Sequence, residues 1–397
     1  MFEKITAAAE DATEAMFLRL AEDPRSDKLD LGIGIYREEG GEIPLMECVR
    51  QAERRLISEG MHKGYLNPLG NAAYCREVLK LTLGEQHPLL RDGSLVCAQT
   101  PGAGGALRTA AELVKEINAN SRAWFSDPVW PHQMDFFLGA GMQIQRYRYY
   151  DLKTTERLDE AMIDDLRQMQ AGDILVLHGS CHNPTGEDPD INQWQRLTQV
   201  VLDTGAIPLV DVAYQGFGDG VEEDVAGLRL MAAQVPEIIL AVSSSKSFGI
   251  YRDRAGMLAF CRQGKNPQET ALRHRLRDCI RRNYFMPPDH GAALIIDILS
   301  EPKLRSLWVQ ELNGIRQRIA GLRRDFRLAM ENQLDGFDGS FLERQKGMFS
   351  CLPVDADQQQ RLEKEFGIYM LPMARMNFAA LAQSQIEQVA QAISRTR

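Results

Sequence analysis

Ile238-Ile239-Leu240-Ala241-Val242-Ser243-Ser244-Ser245-Lys246-Ser247-Phe248-Gly249 is the stretch from which the fold can be read. Its first five residues are apolar and mostly β-branched, which suits a strand buried on both faces. Strands of that kind belong to parallel sheets covered by helices. Small hydroxyl residues then lead to a lysine where the buried strand ends. An ammonium loses hydration there, so a lysine in that place is costly unless its amine is used. Arg254 follows eight residues later. An isolated Ser-Lys pair is ordinarily a surface loop, so the weight of this one depends on what else the chain places at strand ends.

Working outward, further apolar runs occur at Leu95-Val96-Cys97-Ala98, Ile174-Leu175-Val176-Leu177, Pro208-Leu209-Val210-Asp211-Val212 and Met257-Leu258-Ala259-Phe260. Between them lie helical patterns, with Leu107, Ala110, Leu113, Val114 and Ile117 on one face and Trp194, Leu197 and Val201 on another. This alternation predicts an α/β fold with a mostly parallel central sheet. Leu304, Trp308, Leu312, Ile315, Ile319, Leu322 and Phe326 then predict one long helix, ended by Asp335-Gly336 and bridging two lobes. The segment beyond, with Met348-Phe349-Ser350 and Phe366-Gly367-Ile368-Tyr369, reads as a smaller α+β unit.

At 397 residues the chain needs more than one small core. Its net charge of −9 argues against general nucleic-acid or acidic-membrane binding. The seven cysteines are scattered without a C-x-x-C pair, which suggests reduced thiols and neither a disulfide framework nor a zinc site. The sequence Met1-Phe2-Glu3-Lys4 opens no secretory signal, and no apolar run approaches a membrane span. The expectation is a cytoplasmic protein without a metal.

Ligands of parallel sheets gather outside the carboxyl ends of the strands. Four polar motifs fall there. Thr100-Pro101-Gly102-Ala103-Gly104-Gly105 offers backbone amides and a helix N-terminus suited to a phosphate, or else a plain strand-to-helix turn. It fits neither the Walker A nor the dinucleotide spacing, which removes a nicotinamide dehydrogenase. His178-Gly179-Ser180-Cys181-His182-Asn183-Pro184-Thr185-Gly186 reads as turn chemistry, since Gly and Pro forbid the helix that would align its histidines. Alternatively, the Asn183 amide donates to a phenolic oxygen. Asp211-Val212-Ala213-Tyr214 places an acid at the end of an apolar strand, where it needs a partner. A carboxylate facing a pyridine nitrogen would keep that ring protonated and electron-withdrawing, with Tyr214 bonding the phenolate; the alternative for either residue alone is a helix-capping Asp and a packed Tyr. The fourth motif is the lysine segment, with Ser243, Ser245 and Arg254 as a phosphate cup. Together they favour Lys246 as the Schiff-base lysine of pyridoxal 5′-phosphate.

The ordered series His-Asn-Pro-Thr-Gly, Asp-x-Ala-Tyr-Gln-Gly-Phe and Ser-x-Ser-Lys-x-Phe-Gly-(x)4-Arg resembles the class I aminotransferases, in their aspartate/aromatic amino acid branch. The resemblance runs from Leu31-Gly32-Ile33-Gly34 to Arg375-Met376-Asn377. It implies fold-type I, divided into an arm over 1–13, a small domain over 14–43 plus 314–397, and a large cofactor-binding domain over 44–313. It also implies a homodimer acting on amino acid and 2-oxo acid substrates. By resemblance, Trp130 stacks on the cofactor ring, Tyr65 reaches the phosphate of the neighbouring subunit, and Gly102, Ala103 and Gly104 border the phosphate. Arg375, Gly34, Trp130 and Asn183 would contact substrate. Arg281 would come from the partner to meet a side-chain carboxylate, against the alternative of a solvated basic face. Lys246 would also act as the base between substrate Cα and the cofactor. The expected reaction is ping-pong amino transfer from an aromatic amino acid or aspartate to 2-oxoglutarate. A lyase or decarboxylase on the same fold, or a non-catalytic binding protein, are the alternatives.

Several positions depart from the family pattern. Gly104 stands where Thr or Ser is usual, so a hydroxyl contact to the phosphate is missing. Gln133 stands where a histidine backs the pyridine-facing Asp, with His132 beside it. Phe285-Met286-Pro287-Pro288 places bulk near the site, and Ala374 and Phe378 differ beside Arg375. These apolar departures tilt the expectation toward aromatic or broad specificity.

Overall fold

The computed structural model describes residues 2–6, 10–91 and 95–397, except for the side chain of Arg91. Met1 and residues 7–9 of the expected N-terminal arm lie outside the described residues. At the centre is a seven-stranded sheet. Its strands are β1 (Leu95–Pro101), β2 (Arg122–Asp127), β3 (Gln143–Arg148), β4 (Ile174–His178), β5 (Ile207–Val212), β6 (Glu237–Ser243) and β7 (Ala255–Arg262). The spatial order is β1-β7-β6-β5-β4-β2-β3. β7 pairs antiparallel with β1 and β6, and the remaining pairs are parallel. The chain therefore has the mostly parallel α/β sheet that the apolar runs predict.

All five of those runs are strands. β2 and β3 were not anticipated, and their sequences show why. In β2 only Ala123, Trp124 and Phe125 form an apolar run, flanked by Arg122 on one side and Ser126-Asp127 on the other. β3 reads Gln-Ile-Gln-Arg-Tyr-Arg and buries Tyr147 alone, because it is an edge strand facing water on most sides. One helix position also differs. In the helix Gly102–Ile117, Leu107, Ala110, Leu113 and Val114 are buried. Ile117 is 61% exposed, because it is the last residue and the apolar stripe stops a turn earlier.

The long helix spans Pro302–Gln333 and buries Leu304, Trp308, Leu312, Ile319, Leu322 and Phe326. Proline opens it at a position where no backbone N–H is needed, and the Glu301 carboxylate caps the Lys303 amide. The smaller unit follows. Phe349–Cys351 pairs antiparallel with Arg375–Asn377, and Leu29–Asp30 pairs parallel with Ile368–Tyr369. The helix Ala356–Phe366 starts at a reciprocal Asp355–Gln358 cap and stops at Gly367, whose φ of 68° lies in the left-handed region that favours glycine. The helix Ile386–Thr396 packs against both the long helix and Ala356–Phe366.

Candidate active site

The lysine loop is fixed before any ligand is considered. The amide of Ser244 donates to Ala255 O at 3.1 Å, and its hydroxyl lies 2.8 Å from the Tyr74 hydroxyl. Ser247 Oγ donates to Gln215 O at 2.7 Å. The Trp308 indole donates to Ser247 O at 2.7 Å, and its ring stacks on Phe248 at 4.8 Å between centroids. With its neighbours committed to the scaffold, Lys246 points into a cavity with Nζ 4.9 Å from the Tyr214 ring centroid. Burial lowers the Lys246 pKa to about 8; Asp211 opposes the shift, while Arg254 and Arg375 add to it. A neutral amine is thus within reach near physiological pH.

Asp211 sits on β5 opposite His178 of β4 and is almost fully buried. Its Oδ2 accepts a hydrogen bond from Gln133 Nε2 at 2.7 Å. Its Oδ1 is buried with no partner. Burial raises the carboxyl to about 6, against the pull of Lys246 and Gln133. Tyr214, on the turn after β5, is raised well above its usual value by burial.

At the start of the helix Gly102–Ile117, Pro101 supplies no side-chain cap, which leaves the amides that follow Gly102 open. Gly102 adopts φ +69°, and a Cβ there would lie 2.3 Å from Arg254 Nη2. The Gly102 amide donates to Arg254 O at 2.9 Å, and the Arg254 guanidinium lies 3.4 Å from Ser245 Oγ. Open amides, a guanidinium and a hydroxyl converge as an anion cup.

Arg375 enters from the smaller unit. Its Nη1 donates to Asn183 Oδ1 at 2.9 Å and its Nη2 to Gly32 O at 2.8 Å. The guanidinium lies 4.2 Å from the Phe349 ring centroid, and its Nε is buried without a partner. Burial lowers its pKa. Asn183 Oδ1 is thereby occupied, so this side chain has only its NH₂ to offer a phenolic oxygen.

A cavity of about 240 Å³ brings together Gly34, Ala103, Gly104, Trp130, Asn183, Asp211, Tyr214, Ser243, Lys246, Arg254 and Arg375. Ser245 and Gly102 stand behind it against Arg254. Tyr65, 88% exposed, and Arg281, exposed in the last turn of the helix Glu269–Asn283, are not brought to it within this chain. Thr13, Ile33, His132, Phe349 and Leu371 line it as well. Only tertiary packing reveals them, because they carry no motif.

The departures resolve differently from one another. Gln133, expected only as a missing histidine, takes up the Asp211 carboxylate itself. Gly104 faces Phe136, whose Cζ would lie 3.0 Å from a Cβ at that position. The expected bulk from Phe285, Met286, Ala374 and Phe378 does not line the cavity. Phe285 is 58% exposed, and Phe378 is buried between Phe326 and the Arg323 guanidinium. The rings of His178 and His182 meet at 4.6 Å without a helix, because the turn folds them together. Both His182 nitrogens are taken by Ser126 and Thr185 hydroxyls. Among the described residues, no three His, Cys, Asp or Glu side chains form a metal-holding group.

The sequence profile described as aminotransferase class I and II matches residues 26–393. The chain belongs to this family. It is 39% identical over 393 residues to an aspartate aminotransferase of Escherichia coli, covering 99% of each chain. It is 38% identical over 396 residues to an aromatic-amino-acid aminotransferase of Pseudomonas aeruginosa, covering 99% of this chain and 98% of the other. An aromatic-amino-acid aminotransferase structure from Burkholderia pseudomallei, covalently bound to pyridoxal phosphate, superposes with a TM-score of 0.96. That pair is 37% identical, covering 100% of this chain and 99% of the other.

The protein is therefore a pyridoxal-phosphate-dependent aminotransferase of fold-type I, in the aspartate/aromatic branch. The residues present fit that cofactor. The unpartnered Asp211 Oδ1 is an acceptor with room for a protonated ring nitrogen, and the open helix terminus with Arg254 suits its phosphate. Among the described residues, no helix of this aminotransferase is long and apolar enough to cross a membrane.

Proposed function

We propose that the enzyme moves the amino group of an L-amino acid, aromatic or aspartate, to 2-oxoglutarate in ping-pong fashion, as a cytoplasmic homodimer. The observation that carries this reading is Arg375, buried in the same cavity as Lys246 and anchored on one side by Asn183 and Gly32. Its unpartnered Nε is available to a substrate carboxylate. That contact orients the amino acid so that its Cα proton faces Lys246.

When bound, pyridoxal phosphate supplies the electron sink that stabilises negative charge at the substrate Cα. Lys246 Nζ would hold the cofactor and, once freed by the substrate amine, would take the Cα proton and return it on the cofactor side. Asp211 Oδ1 holds the proton of the ring nitrogen. Tyr214 and the Asn183 amide donate to the phenolic oxygen. Arg254, Ser243, Ser245 and the Gly102–Gly105 turn bind phosphate, and Trp130 covers the ring. Tyr65 and Arg281 act across the dimer, where their exposure on the single chain leaves them available. Ile33, Phe349 and Leu371 give the cavity apolar walls, which favours aromatic donors alongside aspartate. On the division into 1–13, 14–43 plus 314–397, and 44–313, Arg375 belongs to the small domain and Lys246 to the large one.

The test is an absorbance scan of the purified enzyme, with glutamate and then 2-oxoglutarate added. The band of the lysine-bound cofactor should fall and then recover, and Lys246→Ala should lack it. A band that ignores every amino donor in a panel would sink the transfer reading. Ammonia or carbon dioxide released in place of recovery would turn the assignment to a lyase or decarboxylase.

A further inference from the structure

Gln133 lies on the helix Pro131–Leu138, which starts directly after Trp130. Its side chain is fully buried and reaches the Asp211 carboxylate, with Nε2 to Oδ2 at 2.7 Å. Gln133 Oε1 and Asp211 Oδ1 are both buried and unpartnered. An amide has one donating end and one accepting end, and a carboxylate only accepts. The donating end must therefore face an ionised Asp211; turned around, the amide would set two acceptor oxygens against each other. The contact thus occupies one carboxylate oxygen and leaves the other free toward the cavity.

We propose that Gln133 is the positioning residue for Asp211, a proton-neutral clamp that aims the free oxygen at the cofactor ring nitrogen and keeps the acid ionised for it. The assignment rests on Asp211 meeting that nitrogen, and it adds a residue that touches neither cofactor nor substrate. Gln133 acts through a single donated hydrogen bond. It has no proton to give or take, so the charge on the Asp–ring pair is set without a second titrating group behind it. Its removal weakens cofactor holding only as long as Asp211 carries a charge to be held.

The experiment is a double-mutant cycle on the full-length apoenzyme. Pyridoxine 5′-phosphate is titrated in and followed by tryptophan fluorescence. This probe has the ring and the phosphate but cannot link to Lys246, so affinity is read apart from turnover. Losing a buried hydrogen bond to a charged partner predicts that Gln133→Leu binds the probe roughly tenfold to hundredfold more weakly. Gln133→Glu, which opposes two acceptors at nearly unchanged shape, should weaken binding at least as much. Gln133→His restores a donor and should recover most of the affinity. In the Asp211→Asn background, Gln133→Leu should cost little further.

Unchanged affinity in both Gln133→Leu and Gln133→Glu overturns the clamp. So does a full additional loss in the Asp211→Asn background, which would mark Gln133 as a packing residue. If Asp211→Asn alone leaves affinity intact, the fault lies instead with the pairing of Asp211 and the ring nitrogen. Melting of the apoenzymes separates misfolding from weak binding, and Gln133→Glu keeps the test open if the leucine variant does not fold.

Discussion

Gly102 and Gly60 share a φ of +69°, but a Cβ at Gly60 meets nothing within 4 Å. At Gly102 the same Cβ would lie 2.3 Å from Arg254 Nη2 and 2.9 Å from its Cζ. An L-residue in the left-handed region costs roughly 1–2 kcal/mol. Gly60→Ala, at the C-terminus of the helix Glu47–Glu59, should therefore measure that backbone cost alone. Gly102→Ala should show a similar loss of apoenzyme stability, since the clash is with the end of a flexible side chain, Arg254, which only long hydrogen bonds to Ser245 Oγ and Tyr251 O hold in place. Swinging aside removes it from the anion cup. A charge-assisted hydrogen bond is worth about 1.5–3 kcal/mol, so cofactor affinity should fall roughly tenfold to hundredfold in Gly102→Ala and stay unchanged in Gly60→Ala. Urea unfolding of the apoenzymes gives the first quantity, and pyridoxal phosphate titration gives the second. Equal affinity in both variants would refute the reasoning, because the cup would then not depend on where Arg254 stands.

The Lys246 pKa is depressed to about 8 from 10.5, so between those values the unfolded chain binds the extra proton and this group's contribution to stability rises with pH. Relative to Lys246→Met, the wild-type apoenzyme should gain stability from pH 8 toward pH 10 in urea titrations; parallel curves would contradict the shift. At the phosphate turn, Gly104→Thr should cost about 1 kcal/mol by pressing on Phe136, and adding Phe136→Val should relieve it. Thermal melting of the two variants checks this, and equal destabilisation in both would contradict it. Arg375→Lys removes the planar fork while keeping the charge, and it should lower kcat/KM for glutamate by about a hundredfold. Single-turnover kinetics would show the fall, and a donor lacking an α-carboxylate should be spared.

The buried strands and the residues at their ends were legible because each obeys a local rule. β4, β5 and β6 are continuous apolar runs, and Asp211 and Lys246 stand out as charges where such runs stop. β2 and β3 escaped notice because three apolar residues, or two separated by Gln and Arg, satisfy no such rule. Gln133 was legible only as a histidine that was missing. Its bond to Asp211 joins positions 78 residues apart, which no spacing within a helix or a strand announces. The position of Phe378 has a related cause. Sequence proximity to a site residue does not say on which side of the chain a side chain emerges, and Phe378 turns into the core against Phe326.

β6 and β7 are antiparallel neighbours joined by residues 244–254 alone, and that connection carries both Lys246 and Arg254. Every other strand pair in the sheet brings together segments from more distant parts of the chain. A short closure costs little chain entropy and pairs early. The spacing between amine and guanidinium is thus a gauge cut into one local connection, which Tyr74, Gln215 and Trp308 then hold in place. Sequence drift in the walls around it can change which amino acid is admitted without re-spacing the two points proposed to hold the cofactor.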